Sequence, residues 1–157
     1  PAIADRHSDL ELVLYGSAQV TPEHETEFNG LVGSTAHAAR IRRTGHIDDA
    51  DLADLFAGCA LFVFPTTVEG FGYPLLEAMY HGACCITRNA SAMKEVGGDA
   101  VCLVETLNPD EIAGAANALL NEPARRAELG ARAAARARRF TIEEMVGKTV
   151  ECYRAVL

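Results

Sequence analysis

Five short strand-like runs, at about residues 11–15, 40–44, 60–64, 83–87 and 100–104, alternate along the chain with stretches of helical character. The runs are rich in Val, Ile, Leu, Phe and Cys, and each has the length of a buried strand. Helix-like stretches lie between them at about 22–38, 49–58, 74–81 and 91–95, the first opened by Thr21-Pro22-Glu23. Strands joined through helices pair in parallel, with helices on both faces of the sheet. From residue 108 onward only helix is expected. Ile112, Ala116, Leu119 and Leu120 share one face, Pro123 ends that helix and opens the next, and Thr141-Ile142-Glu143-Glu144 has the capping-box pattern of a last one. The expected fold is an α/β, Rossmann-like parallel sheet with flanking helices and a helical C-terminus. The 157 residues, 49% of them apolar, are expected to form a single domain.

The turn after the third run carries the chemistry. It reads Glu69-Gly70-Phe71-Gly72-Tyr73-Pro74-Leu75-Leu76-Glu77 and leads from strand to helix. In an open α/β sheet such a turn presents backbone N–H groups and the positive end of a helix dipole to an anion. Gly70 and Gly72 permit a positive φ and a close approach of ligand to backbone. Pro74 suits the first helical position, where its missing N–H costs nothing. The N–H groups from Gly70 to Leu75, those of Phe71 and Tyr73 included, would cradle a phosphate. A carboxylate beside that cradle must face something neutral that carries hydroxyls. Glu77, one turn into the helix, suits a ribose, and Glu69, before the glycines, suits a sugar beyond the phosphates. Ribose, phosphates and sugar in that order make a nucleotide sugar.

With two glutamates eight positions apart behind a buried strand, this stretch resembles the donor site of the family-four retaining glycosyltransferases, which have the GT-B fold. The resemblance extends along the chain in the family's order, over roughly residues 8–157. Leu10 to Gly16 is similar to the second strand of the family's C-terminal domain, and Arg43-Thr44-Gly45-His46-Ile47-Asp48 to its third strand and the loop under the nucleobase. Asn89 to Ala100 is similar to the loop after its fifth strand, and Asn108-Pro109-Asp110 to the start of a late helix. The resemblance implies transfer of a glycosyl unit from a nucleoside diphosphate sugar with retention, as in polysaccharide biosynthesis. It implies no metal and no cofactor. It places Glu69 at the reacting sugar as the catalytic-site residue, and His46 and Ile47 at the base.

The family's C-terminal domain has the strand order 3-2-1-4-5-6. Residues 1–6 are similar to the end of its first helix, so the first, central strand is expected to be missing, with the phosphate-clamping Arg and Lys and the N-terminal acceptor domain. The isolated chain would then be inactive as a transferase. Two unpaired interior edges lead to two expectations: a homodimer by strand exchange, or direct pairing of the strand at 11–15 with that at 60–64. A non-catalytic nucleotide-sugar-binding or assembly module is the alternative function.

The formal net charge of −8 argues against a nucleic-acid partner, whose binding needs a basic face. A dinucleotide oxidoreductase would need G-x-G-x-x-G after its first strand, and none occurs. The five cysteines have no metal-ligand spacing and lie mostly in apolar runs, as reduced core residues of a cytoplasmic protein would. Arg125, Arg126, Arg132, Arg136, Arg138 and Arg139 make residues 124–139 basic. They are expected on a solvated helix, or against anionic lipid headgroups at the inner face of a membrane. Arg88, just past the fourth run, is expected to face the same crevice as the glycine turn.

Overall fold

A computed structural model describes residues 2–16 and 21–156. The chain falls into two compact units, Pro1–Leu52 and Ala53–Leu157. The first holds β1 (Leu12–Tyr15), α1 (Pro22–Ser34), a 3-10 turn (Ala38–Arg40) and β2 (Ile41–Gly45), and α2 (Asp49–Gly58) spans the boundary. The second holds β3 (Phe62–Phe64), α3 (Tyr73–Tyr80), β4 (Cys85–Arg88), α4 (Ser91–Gly97), β5 (Cys102–Val104), α5 (Pro109–Leu120), α6 (Pro123–Ala137) and α7 (Ile142–Val156). Strand and helix alternate as expected, and the chain is helical after β5.

In the first unit β1 and β2 pair in parallel, with Leu12 opposite Ile41 and Leu14 opposite Arg43. Arg40 ties the preceding segment to this ribbon by donating to the carbonyls of Ala4 and His7, at 2.7 and 2.8 Å. The Thr21 hydroxyl accepts from the His24 N–H and caps α1. That helix ends four residues earlier than its sequence pattern predicts. It buries none of its residues, so no packing holds a further turn, and Thr35 leaves in the extended conformation.

The second unit contains the core. Its sheet is parallel in the order β3-β4-β5, with central Cys85, Ile86 and Thr87 buried. Among the described residues Thr87 is the one buried polar side chain, and its hydroxyl donates to the Phe64 carbonyl at 2.9 Å. Leu75, Ala78 and Met79 of α3, Met93 and Val96 of α4, and Ala116 and Leu119 of α5 complete the core. Helix α6 packs on α3 through small residues. Gly130 lies so close to the Gly82 carbonyl that a Cβ there would overlap it.

The two strand groups reproduce the halves of the expected order, 3-2 and 4-5-6. The direct pairing of the strand at 11–15 with that at 60–64 is not formed. Among the described residues β1 bonds to β2 and β3 to β4. The pairs that form are parallel and lie within one unit, each across a helical crossover: β1 with β2, β3 with β4 and β4 with β5.

The arginines of α6 serve the fold. Arg126 donates to the carbonyls of Leu119 and Leu120 at the end of α5, and Arg136 to those of Glu95 and Val96 near the end of α4. Two helix C-termini thereby receive a cation where the dipole is negative. Arg132 pairs with Asp99 at 2.6 Å, Arg125 with Glu122 at 3.4 Å, and Arg138 lies over the Tyr80 ring. Helix α7 buries no residue, and Ile142, Met145, Val146, Val150 and Tyr153 form an exposed apolar stripe along it. Among the described residues no helix is long and apolar enough to cross a membrane.

All five cysteines are free. Burial pushes the Cys84 thiol up to about 11 and raises Cys85, Cys59 and Cys102 as well. Cys152, on exposed α7, should therefore react first and stoichiometrically with a thiol reagent at pH 8, as peptide mass analysis would show. Cys85 should react only on unfolding.

Candidate functional site

The candidate site is the β3–α3 turn and the β4–α4 turn beside it. Both lie at the carboxyl ends of parallel strands, where open α/β sheets bind ligands. Gly72 is the N-cap of α3 at φ +89°, a left-handed conformation that disfavours any residue with a Cβ. A Cβ there would also overlap the end of the Met93 side chain. Gly70 has no positive φ, so one glycine of the pair makes the turn and the other leaves open space. Tyr73 occupies the first helical position and Pro74 the second, one place later than expected.

The Leu75 N–H donates to the Gly72 carbonyl at 3.0 Å, and its side chain is fully buried under the helix start. The N–H groups of Gly70, Phe71, Gly72 and Tyr73 have no acceptor among the described residues. They lie at the positive end of α3, where the cradle is expected, with Gly70 and Tyr73 exposed and Gly72 buried. The Phe71 and Tyr73 rings pack together at 4.9 Å, and Phe71 meets Phe140 edge-on at 6.0 Å.

Glu69 is half-buried before the turn, and Glu77 is exposed one turn into α3. The Thr66 hydroxyl donates to the Glu69 carboxylate at 3.4 Å. Glu77 lines a cleft of about 400 Å³ with Leu76, Tyr80, His81, Arg138 and Phe140. Arg88 ends β4, and its guanidinium donates to the Thr67 carbonyl at 3.3 Å. Its buried Nε–H has no acceptor among the described residues. His46 and Ile47 follow β2, after Gly45 at φ +67°, and belong to the first unit. Among the described residues no group of three His, Cys, Asp or Glu side chains is placed to hold a metal ion.

Two residues of this region escape a reading of residue types. Ser91 opens α4 at φ +53°, the one left-handed non-glycine among the described residues, and its hydroxyl donates to the Glu69 carbonyl at 3.0 Å. Thr66 reaches the Glu69 carboxylate from three positions upstream. A serine or threonine in a loop is too common for either role to be signalled by sequence.

Known proteins resemble this chain in sequence and in structure. The profile of the family described as "Glycosyl transferases group 1" matches residues 1–136. O-antigen chain mannosyltransferase B of Escherichia coli is 34% identical over 114 residues, 73% of this chain and 30% of that protein. The MMP alpha-(1->4)-mannosyltransferase of Mycolicibacterium hassiacum is 28% identical over 157 residues, 98% of this chain and 37% of that protein. In structure, HepE of Anabaena, crystallised with UDP, superposes with a TM-score of 0.84 at 22% identity, covering 98% of this chain and 43% of its own. This chain thus spans less than half the length of the relatives it matches. A parallel sheet with a glycine turn at its carboxyl end, a family profile over most of the residues and GT-B neighbours in structure have one reading: the chain belongs to the group 1 glycosyl transferases.

Proposed function

We propose that this chain is the donor-binding part of a retaining glycosyltransferase that takes a hexosyl group from a nucleoside diphosphate sugar. The observation that carries this reading is the β3–α3 turn, where unpaired N–H groups meet the N-terminus of α3 with a carboxylate before and another after them. The N–H groups and helix dipole would hold the diphosphate and stabilise it as it leaves, the step at which negative charge develops. Glu77 would accept hydrogen bonds from the ribose and Glu69 from the sugar. The phosphate turn lies between the two glutamates in sequence, which does not suit the paired carboxylates of a glycosidase. HepE was crystallised with UDP and with UDP-glucose, which supports a nucleotide sugar as ligand. Relatives named as mannosyltransferases make mannose the first sugar to try. The acceptor would be bound by parts of the protein outside this chain.

Calorimetric titration of the chain with UDP, GDP and ADP tests this. One nucleotide should bind, and Glu77→Ala should weaken it by about 1–3 kcal/mol, the cost of a lost hydrogen bond to a charged group. Absence of binding by all three would reject the donor-site reading for this chain.

A further inference from the structure

Resting on the nucleotide-sugar reading, we propose that Ser91 is a positioning residue for the sugar half of the donor: it holds the segment that carries Glu69, with Thr66 setting the carboxylate. Four side chains fix this segment. Thr87 donates to the Phe64 carbonyl at 2.9 Å, Arg88 to that of Thr67 at 3.3 Å and Ser91 to that of Glu69 at 3.0 Å. Three carbonyls between the end of β3 and Glu69 are thus held from β4 and the start of α4. Thr66, inside the segment, closes the set by donating to the Glu69 carboxylate.

The start of α4 shows that Ser91 serves its neighbour. A serine at a helix N-terminus ordinarily turns its hydroxyl onto the helix's own N–H groups. Here Ala90 occupies the N-cap and no side chain caps the helix, while the Ser91 hydroxyl crosses to a carbonyl 22 positions away. Ser91 does this from a left-handed backbone conformation, which costs free energy and persists where its surroundings over-determine it. The arrangement orients a hydrogen-bond acceptor before the sugar arrives, so its ordering need not be supplied at binding. The Gly70 N–H shares the peptide plane of the Glu69 carbonyl, so nucleotide binding is left to the N–H groups of Phe71, Gly72 and Tyr73 and to Glu77, which Ser91 does not touch.

The test compares the nucleoside diphosphate that the chain binds with its nucleotide sugar. It uses wild type, Ser91→Gly, Ser91→Asn, Thr66→Val and Glu69→Gln. Glycine accepts the left-handed backbone without the hydroxyl, and asparagine accepts it while keeping a donor. Ser91→Gly and Thr66→Val should bind the nucleoside diphosphate within about twofold of wild type and lose about tenfold of the extra affinity contributed by the sugar. Ser91→Asn should restore most of it. Ser91→Gly combined with Glu69→Gln should lose no more than Glu69→Gln alone, because both act on one contact. Equal losses for both ligands, an unchanged sugar contribution, or no sugar contribution in wild type would each overturn the proposal while nucleotide binding stands. A wild-type chain that binds no nucleotide would remove the parent reading as well.

Discussion

Gly130→Ala is expected to lower the unfolding free energy of the second unit by about 3 kcal/mol, the upper range for overpacking a tight contact. The added methyl would meet the backbone carbonyl of Gly82, which cannot rotate away as a side-chain end could. Gly82 is fixed in turn: it sits at φ +79° after α3, with its N–H bonded to the Met79 carbonyl at 3.0 Å. Relief therefore requires α6 to move off α3. Chemical denaturation followed by circular dichroism measures the loss. A change below about 0.5 kcal/mol, ordinary for a surface substitution, would show that this approach of α6 to α3 is not tight.

Leu75→Ala is expected to cost a similar amount, about 2–5 kcal/mol, by leaving a cavity in a core that closes only partly. Leu75 is 0% exposed and lies in the first turn of α3, between the glycine turn and Glu77. Its side chain holds down the helix start from which the open N–H groups project. The same denaturation experiment reads the loss of stability. Leu75→Met, which conserves volume, should cost less than about 1.5 kcal/mol and separates cavity formation from a generic response to substitution. A Leu75→Ala value no larger than that of Leu75→Met would contradict the buried packing of this turn.

The strand-like runs lie within two residues of the strands of the described residues; β3 and β5 are apolar along their whole length, as a parallel strand covered on both faces must be, whereas β2 keeps Ile41 beside the exposed Arg42 and Arg43. The helical pattern overran the end of α1, which buries no residue and so has no packing to fix its last turn. The strand-to-helix turn was equally legible, since Gly-x-Gly-x-Pro before an apolar helix has few other uses. Which glycine turns left-handed was not: the pair is symmetric in type, and Met93, on another helix, fills the space beside Gly72 alone. The role of Ser91 stayed hidden for the same reason, because it is defined by a carbonyl 22 positions away. What the basic stretch at 124–139 does for the fold was not legible from its linear order. Leu119, Leu120, Glu95 and Val96, whose carbonyls Arg126 and Arg136 cap, are near only once α4, α5 and α6 have packed. Glu69 and Glu77 were found as a spacing, and the structure adds what spacing lacks, a hydroxyl on one carboxylate and an open cleft beside the other.

The seating of α6 on α3 also sets an order of events for the growing chain. Strand β3 pairs with β4 and β4 with β5, so the sheet closes through short, local crossovers and can assemble quickly as it is made. Helix α3 must wait for its partner, because residue 130 meets residue 82 only after α4, β5 and α5 have been synthesised. A nascent chain that stops short of α6 therefore has a sheet without its last cover. The arginines that finish α4 and α5 arrive on the same helix. The packing of the unit is complete only once α6 is in place.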